Sequence, residues 1–150
     1  MSSDADLIKL YSQRILALAA EITNDTRLDN PLVSVKQRAP LCGSTVTVDL
    51  DIEDGKISRF AQDVKACALG QAAASVAGRV MLGRTSLEID TARDQLKTML
   101  KLDGPVPDAP FEGLEVLIPA RDYKNRHASI LLCLEATSQA MEQAQKAACA

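Results

Sequence analysis

Thr45-Val46-Thr47-Val48-Asp49-Leu50-Asp51-Ile52-Glu53-Asp54-Gly55-Lys56-Ile57 is the stretch that decides the fold. Val46, Val48, Leu50 and Ile52 alternate with Thr47, Asp49 and Asp51, and a period of two places the apolar set on one face of a half-buried strand. Asp49, Asp51 and Glu53 fall on the polar face and read as solvated. Asp54-Gly55 is a hairpin turn, so the chain reverses and a return strand of about Lys56 to Asp63 pairs antiparallel. Ile57 and Phe60 depart from strict alternation in that strand, which predicts a bulge or an early twist. Upstream, Val33 and Val35 alternate with Ser34 and Lys36 until Pro40, giving a third strand and a small antiparallel sheet.

Helical patterns flank these strands. Leu7, Ile8, Leu10, Tyr11, Ile15, Leu18 and Ile22 recur on one helical face over residues 5–22, with Asp4 available as a cap. Asn24 through Pro31 is a polar connector. From Ala66 to Gly83 the composition turns to Ala, Gly and Ser, side chains small enough to let a helix lie close to a sheet. Thr85 and Glu88 form a capping box for a helix from about Ser86 to Leu102. The Gly104 to Pro110 run breaks it, a short Leu114 to Leu117 segment follows, and Asn125 is placed to cap a last helix running to about Lys146. The order predicts one α+β domain over residues 1–150, a three-stranded antiparallel sheet with helices packed on one face.

At 150 residues the chain buries a core without disulfides, and four cysteines in a reducing compartment read as free thiols or metal ligands. Seventeen Lys and Arg against 20 Asp and Glu give a net charge of -3, which argues against a nucleic-acid partner. No Trp, two Tyr and two Phe leave little for stacking flavins or nucleotides. The start, Met1-Ser2-Ser3-Asp4-Ala5-Asp6, lacks the basic and apolar regions of a signal peptide, and no apolar run reaches spanning length. The expectation is a soluble, cytoplasmic protein with no membrane partner.

Two cysteines stand in settings suited to chemistry. Cys42, in Pro40-Leu41-Cys42-Gly43-Ser44-Thr45, lies in a turn that opens a strand, and Gly43 leaves its sulfur uncovered. Cys67, in Val64-Lys65-Ala66-Cys67-Ala68-Leu69, precedes a helix whose free N-H groups stabilise an anion, with Lys65 two residues away. Isolated cysteines are more often small core hydrophobes than ligands, and no Cys-x-x-Cys raises the odds for either. Cys133, in Ile130-Leu131-Leu132-Cys133-Leu134, reads as core, and Cys149 falls in an Ala-rich tail. His127, the only histidine, is equally a ligand or a polar surface residue, and Arg126 beside it is an anion contact or an ordinary salt-bridge partner. No Gly-x-Ser-x-Gly elbow supports a serine nucleophile.

Taken in order, these segments resemble the iron-sulfur cluster assembly scaffold family of the NifU N-terminal, IscU and SufU type. The likeness rests on Leu7-Ile8-Lys9-Leu10-Tyr11, Pro40-Leu41-Cys42-Gly43, Asp54-Gly55-Lys56-Ile57, Ala66-Cys67-Ala68 and Arg126-His127-Ala128-Ser129. In that family, three cysteines and an aspartate two residues after the first build an iron-sulfur cluster or bind zinc, with sulfur from a cysteine desulfurase. The resemblance implies the same fold, a non-enzymatic scaffold role, and partners that are a desulfurase and iron-sulfur recipient proteins. It places Cys42 and Cys67 at the first two cysteines, but Ser44 at the aspartate and Ser129 at the third cysteine.

Neutral serine is a weak ligand, so two thiolates leave iron or zinc short of its usual four donors. His127, Cys133 from one turn beyond Ser129, or a second molecule would have to complete the shell, and His127 ranks first among them. The leading expectation is a scaffold holding a labile iron-sulfur cluster, iron or sulfur at Cys42 and Cys67. The alternatives are a divergent member that keeps only its partner-binding surface, or a relay that accepts a persulfide by thiol exchange.

Overall fold

The segment Thr45–Glu53 forms the central strand β2, flanked by β1 (Val33–Arg38) and β3 (Lys56–Lys65), both antiparallel to it. The computed structural model describes residues 12–40 and 42–149. Asp54 and Gly55, with φ of 53° and 76°, close the β2-β3 hairpin, the pair of positive φ values that a type I′ turn requires. Val48 faces Val35 and Gln62, and Leu50 faces Val33 and Phe60, so one row of the sheet carries the apolar set. The predicted bulge is present: Asp51 pairs with Arg59 but Ile52 with Ile57, which leaves Ser58 unpaired. That extra residue brings Ile57 and Phe60, three apart in sequence, to the same buried face.

Helix α1 spans Gln13–Ala20, capped by the Ser12 hydroxyl on the Ile15 N-H. The helix ends at Ala20, short of the predicted Ile22, and the earlier part of the predicted entry helix, with Asp4, Leu7, Ile8, Leu10 and Tyr11, lies outside the described residues. Helix α2 (Ala68–Gly78) is shorter than the small-residue run, because Arg79 through Gly83 turn away and Gly83 and Arg84 bond to Ile57 beside β3. Ala72, Ala73, Ala74 and Ala77 are all buried, which only side chains this small permit between α1 and the last helix. Helix α3 (Ser86–Lys101) begins at the expected capping box, with both Thr85 and Glu88 bonds formed.

After the loop, the Leu114 to Leu117 segment is part of a longer 3-10 helix, Glu112–Asp122. Asn125 lies inside a second 3-10 turn, Lys124–Arg126, and helix α4 (His127–Cys149) starts behind it and runs past Lys146 to the predicted tail. Helix α4 packs along β1 and β2 and touches α2 and α3, so it forms the central column of the helical layer. The α+β architecture matches the expectation.

The acidic face of β2 does not. Asp49 is fully buried, under the 24–31 connector, where its carboxylate accepts from Arg27 (2.6 and 3.0 Å), the Ser34 hydroxyl (2.7 Å) and the Leu28 N-H (3.2 Å). Burial alone would raise its pKa, but the bonds from Arg27, Ser34 and Leu28 and the Arg27 charge outweigh it and hold the carboxyl below the usual range. Asp51 is tied to Arg59 and to the Leu32 N-H. Of the three acids only Glu53 is exposed. The two aspartates fasten the connector over the sheet, a role that alternation cannot reveal because it sees only which face a residue takes.

Candidate functional site

Three elements converge at the end of the sheet where β2 begins. Ahead of β2, Ala39 bonds to Ser44 and Gly43, with the Ala39 N-H on the Ser44 carbonyl (2.8 Å) and the Gly43 N-H on the Ala39 carbonyl (3.1 Å). Gly43 has φ +73°, a conformation that glycine adopts without strain, and it leaves Cys42 exposed. Cys67 is the N-cap residue of α2 and is half-buried, its carbonyl accepting from Gln71 N-H (2.9 Å) and its sulfur making no cap bond. Ser129, in the first turn of α4, is buried beside both.

Four side chains join in one hydrogen-bonded chain. The Cys42 Sγ lies 3.2 Å from the Ser44 Oγ, the Ser129 hydroxyl donates to Ser44 Oγ at 3.0 Å, and Cys67 Sγ lies 3.6 Å from Ser129 Oγ. The Ser44 hydroxyl, then the Ser44 N-H, overcome desolvation and hold the Cys42 thiol below its ordinary pKa, and the Ser129 hydroxyl and the Cys42 N-H add to this. Cys42 is therefore an exposed sulfur that ionises more readily than an unperturbed thiol, and the thiolate is the form that attacks electrophilic sulfur.

Close approach of α2 to α4 makes the chain possible. A Cβ at Gly70 would lie 2.5 Å from Ser129 Oγ, 3.1 Å from the Ser129 carbonyl oxygen and 2.9 Å from the Ala66 Cβ. Gly70 is thus a site residue that reading for chemistry passes over; its signal in the sequence is only the small-residue run.

The structure does not bring the other candidate ligands to the cysteines. His127 is buried, its Nε2 donating to the Ala120 carbonyl (3.0 Å) and its Nδ1 without a partner among the described residues. It is two residues from Ser129, and positions two apart do not share a helix face. Cys133 is buried in the core, where its thiol donates to Gln62 Oε1 (3.1 Å) and desolvation pushes its pKa up to about 12. Lys65 is exposed at the end of β3 and Arg126 is half-buried; neither forms an ion pair among the described residues.

The donor set bears directly on metal. Two thiols and two neutral hydroxyls do not fit a four-coordinate iron or zinc site, and no group of three or more His, Cys, Asp and Glu able to hold a metal occurs among the described residues. The expectation of zinc gains no support from these donors. Among the described residues no helix is long and apolar enough to cross a membrane.

No protein-family model and no curated protein matches the sequence. Solved structures do match. One from Fervidobacterium islandicum AW-1, described as an iron-sulfur cluster assembly scaffold protein for the SUF system, shares 19% identity over 89% of this chain and 98% of that one, TM-score 0.80. A hypothetical protein shares 19% identity over 90% and 98%, TM-score 0.76; at such identities the likeness is one of fold. A nitrogen-fixing NifU-like protein (N-terminal) from Brucella abortus shares 41% identity over 94% of this chain and 98% of that one, with a TM-score of 0.90. With that identity across nearly the whole of both chains, this chain belongs to the NifU-like N-terminal family.

Proposed function

We propose that this protein serves iron-sulfur cluster biogenesis as a scaffold-type sulfur carrier, not as a turnover enzyme, with Cys42 as the thiol that accepts sulfur from a cysteine desulfurase and Cys67 as its companion. The observation that carries this reading is the Cys42-Ser44-Ser129-Cys67 hydrogen-bonded chain, at the four positions to which the resemblance assigns the family's ligands, with donor hydroxyls where a metal would need anionic ones. Sulfur transfer needs an accessible thiol that ionises readily and no metal, and Cys42 is exposed with its pKa held below the ordinary value. A labile cluster held at Cys42 and Cys67, delivered afterwards to recipient proteins, requires further ligands from a second molecule.

The test is anaerobic incubation with a cysteine desulfurase and cysteine, then mass spectrometry of intact protein and peptides. An added sulfur atom on Cys42 is expected, absent from Cys42→Ala. Cys42 left unmodified while the desulfurase turns over would reject the reading.

A further inference from the structure

We propose that Cys42 and Cys67 are two stations of an internal sulfur relay, in which sulfur enters at Cys42 and passes to Cys67 while a proton returns through the Ser129 and Ser44 hydroxyls. The inference rests on the sulfur-carrier reading above and adds an order of loading and a role for the serines.

Three observations carry it. The two sulfurs differ in access, since Cys42 is exposed and Cys67 half-buried, so an incoming donor meets Cys42 first. They are linked without a break by Ser44 and Ser129 through contacts of 3.2, 3.0 and 3.6 Å. Both linking groups are buried hydroxyls, and a hydroxyl donates and accepts at once, so a proton gained from one neighbour is passed to the other. Carboxylate and thiolate at those two positions would hold a cation instead.

The chemistry balances in two steps. Cys42 thiolate attacks the outer sulfur of a persulfide donor, forming the Cys42 persulfide and breaking the donor's S-S bond, and the donor leaves as a thiolate. The bound persulfide extends the reach of Cys42 by one S-S bond of about 2 Å. Cys67 then attacks that outer sulfur. A new S-S bond forms at Cys67, the bond at Cys42 breaks, and Cys42 departs as a thiolate. The Cys67 proton moves to Ser129, the Ser129 proton to Ser44 and the Ser44 proton to Cys42. Nothing is oxidised or reduced overall, and the sulfur ends at the better shielded thiol.

The experiment uses the full chain, anaerobic and metal-free, with less than one equivalent of glutathione persulfide, quenched by alkylation at successive times and mapped by peptide mass spectrometry. Sulfur should appear on Cys42 first and on Cys67 later. Cys67→Ala should keep it on Cys42, and Cys42→Ala should leave Cys67 unloaded. Ser129→Ala and Ser44→Ala should load Cys42 more slowly, since both hydroxyls lower its thiol pKa, and should then slow passage from loaded Cys42 to Cys67 by roughly a hundredfold or more, the scale of an assisted proton transfer. Far-ultraviolet circular dichroism confirms that each variant is folded. Cys67 loading equally fast in Cys42→Ala, sulfur that never leaves Cys42, or a Cys42-Cys67 disulfide with released hydrosulfide each overturns the relay alone. Sulfur on neither cysteine overturns the carrier reading and the relay with it.

Discussion

Gly70→Ala probes the packing on which the site depends. The new methyl group would lie 2.5 Å from Ser129 Oγ, 3.1 Å from the Ser129 carbonyl oxygen and 2.9 Å from the Ala66 Cβ. The hydroxyl can rotate away, but the carbonyl and Ala66 belong to rigid neighbours, so α2 and α4 must part. Overpacking of this kind costs about 1–3 kcal/mol. Loss of the Ser129-Ser44 bond adds about 1 kcal/mol. Replacing a helical glycine by alanine returns about 1 kcal/mol in propensity. The net is a destabilisation of roughly 1–3 kcal/mol, which for a chain of this size lowers Tm by about 2–12 °C. Thermal unfolding followed by circular dichroism gives the first readout and the alkylation rate of Cys42 at neutral pH the second. Both should change, the thiol reacting more slowly as its hydroxyl donors are displaced. An unchanged or raised Tm together with an unchanged Cys42 rate would refute the claim that close approach at Gly70 builds the site.

Other outcomes follow from the same structure. Because the Asp49 pKa is lowered on folding, its contribution is full above the unfolded value of about 3.8 and is lost as pH falls through the folded one, so stability should decline in acid below about pH 4. Asp49→Asn, measured by urea unfolding at pH 7, should cost about 2–3 kcal/mol, discounted because Arg27 is half-exposed and can be resolvated. The same variant should flatten the acid limb. Thr85→Ala removes the side-chain half of the α3 capping box, the hydroxyl that accepts from the Glu88 N-H, while the residue 85 N-H can still donate to the Glu88 carboxylate, and should cost about 1 kcal/mol. Iodoacetamide at neutral pH should label Cys42 in the native protein and reach Cys133 only after denaturation, since that thiol is buried and its pKa is about 12.

Most of the fold was legible in the sequence because its signals are local. The β2 alternation, Asp54-Gly55 and the Thr85/Glu88 box each specify their element from within a few residues, and even the bulge showed as the misplaced pair Ile57 and Phe60. What escaped was set by contacts distant in sequence. Asp49 looks solvated until Arg27, twenty-two positions earlier, is folded over it. His127 was ranked as a ligand, but its ring is held on Ala120 by the 3-10 helix that precedes α4, an element no periodicity announced. Asn125 falls in a 3-10 turn and not at the α4 cap for the same reason. At the site, Cys42 and Cys67 stand out by their local settings and Ser44 and Ser129 by the resemblance, whereas their linkage into one hydrogen-bonded chain, and the part Gly70 plays in it, needed three dimensions.

On the function proposed above, Ser44 and Ser129 make this site a hydrogen-bonded thiol pair and not a four-donor metal site. The most direct test of that reading is iron analysis, after identical anaerobic reconstitution with iron and sulfide and desalting, of the natural chain beside the Ser44→Asp/Ser129→Cys double variant. The variant should retain iron in proportion to protein, and the natural chain should not. Equal iron retained by both would contradict it.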